Sequence, residues 1–395
     1  MKFLKVTSKI ALILTIFALF ITCTGGQPES SLILFPQGPT RPPLGPGQSP
    51  DDVYDLGGGG FTPQLFTGNE GTWYQIFPIS FYDTTGDGKG DLNGITHHLG
   101  YLSCELGCPA QLENVDDRTY CNNSLHIDGI WLTPIMKGTS YHKYDTEDYM
   151  SIDPDFGTLQ DMRDLRDEAR KRGIKLIVDL AVNHSSAVHP WFLNALEEWM
   201  SGDLGHYAHY YEIRTSWNRF PNKVHEFGTN DRWWRPDEMH LVIDALNERR
   251  QLKGQPPITE VRTPGGQYIF YYGIFGPWMP DFNFDNPDVK QEFVEITRFW
   301  LHEDEMDLDG FRLDATLHIY NAPGDWQGDH GRNIPFWEWF VDMARTFKPN
   351  VFLVGEAWTD PHTVLLYHTP GKSSFAFIFS LGGENRIVRA VNEGL

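Results

Sequence analysis

The sequence predicts an α/β fold with a parallel sheet, and three apolar segments that end in acidic residues support this prediction. They lie at residues 174–184, 310–314 and 351–358. Strands of a parallel sheet are covered on both faces, so their sequences are apolar almost throughout. Because parallel α/β folds keep their chemistry at the C-terminal ends of the strands, the acids at the ends of these segments indicate a candidate site.

A single acid after a strand is more often a helix cap or a loop residue than a catalytic group. Here the pattern recurs in three segments, and two of them carry further polar residues at close spacing. Asn183 and His184 follow Asp179, and Arg312 stands two residues before Asp314. This repetition favours an active site over three unrelated caps.

The first residues predict export from the cell. Three lysines precede or enter an apolar run at residues 10–21, which is too short to span a bilayer comfortably. Cys23 lies just beyond this run, in a sequence that resembles a bacterial lipoprotein cleavage site. Residues 1–22 are therefore interpreted as a signal peptide and Cys23 as a lipidated N-terminus attached to the membrane. Simple secretion and a retained anchor are the alternatives.

The composition indicates which partners to expect. Residues 23–70 are rich in Pro, Gly and Ser and cannot bury a core, so they are predicted to form a flexible tether ahead of the folded domain. The formal net charge of the chain is −21, which would repel phosphate backbones. This argues against a nucleic-acid partner.

An Asp- and Gly-rich loop follows the first predicted strand and predicts a calcium site. Oxygen ligands stand at alternate positions of this loop and glycines make its turns, as in loops that bind hard cations. The predicted ligands are Asp83, Thr85, Asp87, the backbone carbonyl of Lys89, and Asp91. An ordinary Asp/Gly-rich surface turn is the alternative.

Three cysteines, Cys104, Cys108 and Cys121, precede the second predicted strand. In an exported protein they predict one disulfide and one remaining thiol. Cys108 with Cys121 is the preferred pairing, but the sequence does not settle it. A zinc site is a weaker alternative, because no His/Cys spacing around them is typical of one.

From about residue 71 to the C-terminus the chain resembles the α-amylase family, glycoside hydrolase family 13. The acidic segments described above carry this resemblance, together with residues 140–145 and 278–283. The family's catalytic domain is a (β/α)8 TIM barrel, so the resemblance implies a barrel over residues 71–184 and 291–395. It also implies an inserted domain B, at residues 185–290, after the third strand.

Residues 278–283 point to a subgroup of the family. Their Met-Pro-Asp sequence with a closing Asn suggests the group intermediate between oligo-1,6-glucosidases and neopullulanases, which also includes α-amylases. Some subgroups of the family have a calcium loop similar to the one predicted here.

The resemblance also assigns catalytic roles. It implies that Asp314 is the nucleophile and that Glu356 is the general acid/base. Arg312 would lie on the same side of its strand and hold Asp314 ionised. Trp358 suggests a partly apolar setting that raises the pKa of Glu356. Such a pair predicts double displacement with retention, and carboxyl groups about 5 to 5.5 Å apart.

Sugar-binding residues follow from the same resemblance. Tyr144 is expected to stack on a glucose ring, while His142 and His184 bind hydroxyl groups. His318 also matches the family. Leu317 departs from it, because many α-amylases have a lysine at that position.

Two acids near these residues have other expected roles. Asp179, together with Asn183, matches a position that braces the loop around His184. Asp145 helps to hold the arginine in some relatives. A loop acid that caps the next helix is an equally good interpretation of Asp145, and the sequence leaves both open.

The number of strand candidates predicts an incomplete barrel. There are six, at residues 73–78, 129–134, 174–182, 310–314, 351–355 and 375–381. A (β/α)8 barrel closes with eight strands. The family's third carboxylate, an aspartate after a histidine, has no match after Glu356. We therefore expect a C-terminally truncated piece of a longer enzyme, and the missing parts argue against full activity.

The resulting functional prediction is a retaining glycoside hydrolase that cleaves α-1,4-glucosidic bonds of starch or maltooligosaccharides, with calcium as a cofactor. A neopullulanase or oligo-1,6-glucosidase-like activity is one alternative. A non-catalytic surface lipoprotein that binds glucans is the other.

Overall fold

A six-stranded parallel sheet forms the centre of the protein. The computed structural model describes residues 71–103, 124–218, 232–321, 328–359, 361–367 and 375–380. These residues belong to one compact unit, Pro63–Leu395. The strands of the sheet are β1 (Trp73–Ile76), β2 (Gly129–Leu132), β5 (Lys175–Ala181), β9 (Gly310–Asp314), β10 (Phe352–Thr359) and β11 (Phe375–Ser380).

The six predicted strands are confirmed, and neighbours in the sheet follow chain order: β1, β2, β5, β9, β10, β11. Every adjacent pair is parallel. Among the described residues the sheet stays open, with β1 and β11 at its edges. The described residues thus form part of a (β/α)8 barrel, with six of its eight strands, as the strand count predicts.

β10 runs past its predicted end, because its last residues continue the ladder with β11. The register of that ladder shifts between Glu356 and Thr359. Such irregularities re-aim side chains and are frequent beside active sites. The shift begins at the predicted acid/base.

Helices connect the strands and cover the sheet. In chain order they are α1 (Leu92–His97), α2 (Leu99–Leu102), α3 (Leu159–Lys171), α4 (Pro190–Ser201), α5 (His240–Leu252), α6 (Pro287–Leu301), α7 (His330–Phe347) and α8 (Pro361–Leu366), with short 3-10 turns at Pro78–Ser80 and Pro236–Glu238. α3 begins with a capping box between Thr158 and Asp161, which satisfies two backbone donors. In α6, Asn286 caps the first turn and Pro287 takes the position where no hydrogen-bond donor is needed.

The segment between β5 and β9 carries a separate antiparallel sheet. Its strands are β6 (Ile213–Ser216), β7 (Trp233–Trp234) and β8 (Tyr268–Tyr272), with β8 in the middle. This sheet lies within the predicted insertion at residues 185–290. The predicted end of the insertion falls inside α6, which begins at Pro287.

A short hairpin completes the described elements. Its strands, β3 (Lys137–Gly138) and β4 (Thr146–Asp148), are antiparallel and enclose residues 139–145. These are the residues in which the sequence places sugar-binding side chains.

Several predictions concern residues outside the described part of the chain. The signal peptide, the tether and Cys23 precede residue 71, and Cys104, Cys108 and Cys121 fall between residues 103 and 124. The export, lipidation and disulfide predictions therefore stay predictions. Among the described residues, no helix has the length and apolar character needed to cross a membrane.

Candidate active site

Arg312 organises a buried cluster of acids at the C-terminal ends of three adjacent strands. Its Nη1 lies 2.8 Å from Asp179 Oδ1 and 2.6 Å from Asp314 Oδ1, and its Nη2 lies 2.7 Å from Glu356 Oε1. We call these four residues the arginine cluster. Asp179 and Asp314 accept charge-assisted hydrogen bonds from Nη1, which are stronger than neutral ones, and Glu356 forms an ion pair with Nη2.

Strand register accounts for this convergence. Asp179 of β5 is the direct cross-strand partner of Arg312 in β9, so the two side chains share one face. Val354 of β10 is its partner on the other side, which puts Glu356 two residues further along the same face. Close approach of β9 and β10 requires Gly310, because a Cβ there would lie 1.7 Å from the Phe352 carbonyl oxygen.

Asp179 is more central than the sequence suggested. It is fully buried, and its carboxylate accepts hydrogen bonds from Arg312, from the Tyr144 hydroxyl at 2.9 Å and from the Trp131 indole at 3.3 Å. Burial raises the pKa of Asp179 to about 6, although the Arg312 charge opposes this. The sequence interpretation of Asp179 as a loop brace missed its contact with Arg312.

Glu356 accepts hydrogen bonds from the loop after β9 and from Trp358 in its own strand. Its Oε2 accepts the backbone N–H of Ala315 at 3.2 Å, and its Oε1 accepts the Trp358 indole N–H at 2.7 Å. Its backbone carbonyl accepts from the N–H and the hydroxyl of Thr316. The residues after Asp314 are thus bonded directly to the end of β10.

The pKa values of the two candidate catalytic acids shift in opposite directions. Burial raises the pKa of Asp314 well above its ordinary value, because it outweighs the opposing charge of Arg312. Burial also acts to raise the pKa of Glu356, but Arg312, the Trp358 N–H and the Ala315 N–H outweigh it, and this pKa is lowered. The expectation that Trp358 raises the pKa of Glu356 is therefore wrong, because its indole hydrogen-bonds to the charged carboxylate.

The pKa shifts of Asp314 and Glu356 also indicate which of the two carboxyls holds a shared proton. Asp314 and Glu356 are close enough for a hydrogen bond between their side chains, which is closer than the predicted separation of about 5 to 5.5 Å. The pKa of Asp314 is raised and that of Glu356 is lowered, so the two shifts favour a shared proton on Asp314. The predicted roles need the reverse distribution at the moment of reaction.

The predicted sugar-binding residues of the hairpin loop line the same cleft. The ring of Tyr144 is fixed by its hydroxyl, which hydrogen-bonds to Asp179 and lies 3.3 Å from Arg312 Nη1. The Nδ1 of His142 accepts the backbone N–H of Tyr144 at 3.2 Å, so the proton of the neutral ring is on Nε2. Burial lowers the pKa of His142, which leaves a neutral ring with one N–H donor.

His184 and His318 lie in the loops after β5 and β9. Burial lowers the pKa of His184 to about 3, so the ring is neutral, and its Nδ1 contacts Asn183 Oδ1 at 3.0 Å. Phe275 contacts both rings, at centroid distances of 5.4 Å to His184 and 5.3 Å to His318. The structure therefore groups these two histidines across an apolar residue of the insertion.

Asp145 is a loop acid, as one of the two interpretations expected, but it does not cap the next helix, because β4 follows it and Thr158 caps α3. Its carboxylate is buried and accepts hydrogen bonds from the backbone N–H and the hydroxyl of Ser140. Arg312 is paired instead with the other members of the arginine cluster. Asp145 is a loop acid that stabilises the turn before Tyr144.

Comparisons with known proteins agree with this geometry. The family model for the alpha amylase catalytic domain matches residues 75–111, 115–253 and 263–389. The chain belongs to the α-amylase family. "Alpha-amylase 3" from Dictyoglomus thermophilum is 33% identical over 308 residues, which cover 78% of this chain and 47% of that protein. "Oligo-1,6-glucosidase" from Parageobacillus thermoglucosidasius is 35% identical over 328 residues, covering 78% of this chain and 49% of its own length.

A solved α-amylase structure has the same fold. The crystal structure of the α-amylase from H. orenii superposes with a TM-score of 0.56 at 35% identity, covering 77% of this chain and 51% of the other. This α-amylase family chain therefore spans about half the length of the relatives it matches.

One buried acid of this family member was missed as a site residue. Asp281 accepts hydrogen bonds from the Ile274 N–H at 3.0 Å, the Asn321 amide at 3.1 Å and the Asn183 amide at 3.3 Å. Burial raises its pKa to about 8. It joins the loops after β5 and β9 to the insertion. The Met-Pro-Asp sequence was the available signal, and it served only as a subgroup marker.

Leu317, which stands where many α-amylases have a lysine, is part of the hydrophobic core. Its side chain is buried in the main core, and its carbonyl accepts the Asn333 amide at 2.6 Å. An apolar residue at this position is thus part of the packing beneath the loop after β9. His318, the next residue, remains at the cleft beside Phe275.

The predicted calcium loop winds around Asp83. The carboxylate of Asp83 accepts the backbone N–H groups of Thr85, Gly86 and Gly88 at 2.7 to 2.9 Å, and these bonds lower its pKa, that of Gly88 most. Gly86 and Gly88 have positive φ. Within the described residues, no group of three or more acidic, His or Cys side chains is close enough to hold a metal ion.

The other predicted calcium ligands have partners of their own. Asp87 accepts the N–H of Lys89 at 2.9 Å. Asp91 caps α1 by accepting the N–H of Gly94 at 2.7 Å, and it also binds the N–H and hydroxyl of Thr84. The donor types and their alternate spacing still fit calcium, with a glycine at the sixth position of the loop.

Proposed function

We propose that this chain carries the catalytic machinery of a retaining glycoside hydrolase that cleaves α-1,4-glucosidic bonds of starch or maltooligosaccharides. The arginine cluster is the observation that carries the proposal. In it, one guanidinium contacts both candidate catalytic carboxyls at the C-terminal ends of the strands. Membership of the α-amylase family supports it.

The proposed reaction has two steps. In the first, an oxygen of Asp314 attacks the anomeric carbon and forms an ester while the glycosidic C–O bond breaks. The leaving oxygen takes the proton of Glu356. In the second, Glu356 removes a proton from water, the water oxygen attacks the anomeric carbon, and the Asp314 carboxylate is released.

Binding of the sugar has to place the proton on Glu356 and the charge on Asp314. Arg312 can support this change, because it contacts both carboxyls and can stabilise whichever is ionised. A leaving oxygen next to Glu356 would further favour the protonated acid. Tyr144, His142 and His184 would meanwhile hold the sugar ring by stacking and hydroxyl contacts.

Trapping the covalent intermediate tests this mechanism. The Glu356→Gln variant, mixed with a maltoside that has an activated aryl leaving group, should accumulate a glycosyl ester on Asp314 that is visible as added mass. Asp314→Asn should lower the release of reducing sugar from maltooligosaccharides by roughly 10⁴-fold or more. Retained activity in Asp314→Asn would refute the nucleophile assignment.

Cleavage of α-1,6 bonds is the second candidate activity. It is favoured by the Met-Pro-Asp sequence at residues 279–281 and by the similarity to a protein named oligo-1,6-glucosidase. The ratio of kcat/KM for isomaltose to that for maltose distinguishes the two activities. A chain that binds both sugars and releases no product from either would instead be a glucan-binding protein.

Calcium at residues 83–91 is proposed as a structural cofactor that would be held by Asp83, Thr85, Asp87, the carbonyl of Lys89, and Asp91. Such a site would stabilise the loop ahead of α1, and the glycine turns and oxygen donors support it. Chelation is expected to lower the melting temperature by about 5 °C. An Asp87→Ala control should be insensitive to the chelator, and an unchanged melting curve for the wild type would count against calcium.

Export with a lipidated Cys23 is proposed for the location of the protein. The lysines and the apolar run before Cys23 support it. Mass spectrometry of the mature N-terminus decides between a diacylated cysteine and an ordinary cleavage site. The Cys23→Ser variant should lose the lipid mass and the membrane attachment.

A further inference from the structure

Lys143 is the one residue between His142 and Tyr144, and its side chain turns into the protein. It is only 5% exposed, and its φ of 60° lies in the left-handed region that favours glycine. A lysine at such a position in a loop would ordinarily extend into water. Its burial therefore needs a reason.

The buried ammonium group is fully engaged. Its Nζ donates to the carbonyl of Gly138 at 2.9 Å and lies 2.9 Å from Asp153 Oδ2, with Asp155 at 3.6 Å. The ring of Phe156 lies beneath it, 5.8 Å from Nζ to the centroid. These contacts compensate for the removal of the charge from water.

The same acid fixes both sides of the hairpin loop. Asp153 Oδ2 also accepts the backbone N–H of Gly138, at 3.1 Å, at the start of the loop. Lys143, near the end of the loop, is thus connected through Asp153 to the strand that precedes it. The surrounding turn adds a hydrogen bond from the Lys143 N–H to the Ser140 hydroxyl at 3.1 Å.

The two neighbours of Lys143 are the predicted sugar contacts. The Tyr144 N–H bonds to His142 Nδ1, and the Tyr144 hydroxyl bonds to Asp179 of the arginine cluster. The peptide groups of Lys143 join the backbones of these two residues. Any release of the left-handed turn would therefore shift Tyr144 and His142 together.

We propose that Lys143 is a positioning residue, which holds His142 and Tyr144 in the orientation that binds a glucose ring. Its anchor is the buried ion pair with Asp153, which stabilises a backbone conformation that a lysine rarely adopts. This inference rests on the proposed function, because it needs a sugar in the cleft. It adds the residue that sets the geometry of the sugar-binding loop.

The Lys143→Gly variant separates anchoring from backbone conformation. Glycine adopts positive φ without steric cost, so the backbone is relaxed while the anchor is removed. Binding of maltoheptaose is measured by titration calorimetry in the Glu356→Gln background, where the bound sugar is not hydrolysed. We expect Kd to rise about tenfold or more, since small misplacements of positioned groups have large effects.

Asp153→Asn provides a second variant that leaves position 143 intact. It removes the charge partner of Lys143 and should raise Kd in the same direction as Lys143→Gly. Unchanged sugar binding in both variants would overturn the assignment.

Asp307→Gly is the matched control. Asp307 also has positive φ, 52°, and is also anchored by ion pairs, with Arg170 and Lys348. It precedes the N-terminal end of β9, away from the acids at the other end. Asp307→Gly should lower the melting temperature and leave Kd unchanged.

The control distinguishes a local role from a general loss of stability. If Lys143→Gly likewise lowers the melting temperature with no change in Kd, Lys143 is only a structural residue and the inference is wrong. If the Glu356→Gln parent itself fails to bind maltoheptaose, the proposed function is refuted and this inference with it. A different result, in which the Glu356→Gln parent binds maltoheptaose and the Lys143→Gly variant binds it equally well, would refute only the inference about Lys143.

Discussion

Two clusters of cations and carboxylates contact the hairpin loop at residues 139–145, and they differ in charge balance. In the arginine cluster one guanidinium faces three acids, Asp179, Asp314 and Glu356. In the second, which we call the lysine cluster, Lys89 and Lys143 face Asp153 and Asp155. The lysine cluster can be neutral with every group ionised, whereas the arginine cluster cannot.

This difference separates chemistry from scaffolding. An excess of buried carboxylates must be relieved by protonation, because an unpaired buried charge is costly. Burial is the largest cause of the raised pKa values of Asp179 and Asp314, and the neighbouring carboxylates add to it. Protons that can move within such a cluster suit acid/base catalysis. The lysine cluster has no such excess, and it holds a loop in place.

The largest effect is expected when the cation of the arginine cluster, Arg312, is removed. Arg312→Gln is expected to lower kcat/KM by about 10²- to 10³-fold and to destabilise the fold at neutral pH by about 3–5 kcal/mol, because buried carboxylates lose their partner. Without Arg312, the folded pKa values of Asp179 and Asp314, which are already raised, should rise further above their unfolded values. Stability should therefore recover as pH falls, which melting curves at pH 5 and 8 would reveal.

Arg170→Gln is the control for this prediction. Arg170 pairs with Asp307 at a half-exposed position, so its loss should have a small effect that does not reverse at low pH. A stability of Arg312→Gln that is the same at both pH values would contradict the charge-excess explanation.

The titration of Asp179 gives the next largest effect. Its folded pKa of about 6 lies above the ordinary value of 3.8. The corresponding stabilisation, about 3 kcal/mol, is therefore complete below the unfolded pKa and is lost as pH rises through 6. Asp179→Asn should flatten the fall in unfolding free energy between about pH 4 and 7. An equally steep fall in urea titrations would exclude Asp179 as its source.

Trp358 tests the assignment of the proton within the arginine cluster. Trp358→Phe keeps an aromatic ring but removes the N–H that bonds to Glu356. The pKa of Glu356 should rise, and the alkaline limb of the kcat/KM profile should move to higher pH by about one unit or less. A shift to lower pH would mean that the indole does not stabilise the carboxylate.

The exposed edge of the lysine cluster should matter least. Lys89 pairs with Asp155 at 2.7 Å, and its side chain is 42% exposed. Lys89→Ala is expected to leave the melting temperature almost unchanged and to leave maltooligosaccharide binding unchanged, because Asp153 still anchors Lys143. A large loss of sugar binding would indicate that Asp155, rather than Asp153, anchors Lys143.

The sequence predicts the sheet well because each strand is a short apolar run, and apolar runs record burial on both faces. It also predicts Arg312 and Asp314 on one side of β9, since their spacing of two residues fixes this. Contacts between strands depend on register. The pairing of Asp179 with Arg312 spans 133 residues of sequence, and no local pattern specifies it.

Other features depend on which partner a polar group finds in three dimensions. Asp281 is bound to Asn183 across 98 residues, and its burial is invisible in the sequence around it. The sequence left Asp145 either to hold the arginine or to cap the next helix, and in the structure it binds the backbone N–H of Ser140 instead. Trp358 has an apolar ring face and a polar N–H at its edge. The N–H meets Glu356, so Trp358 lowers the pKa of Glu356 instead of raising it.

Gly310 allows β9 and β10 to approach each other closely, so it affects the site without taking part in the reaction. Any side chain at that position would press on the Phe352 carbonyl and separate the strands that carry Arg312 and Glu356. In a deep mutational scan, position 310 should tolerate replacement as poorly as position 314. Its intolerance would reflect the spacing between two strands, since glycine contributes no reactive atom.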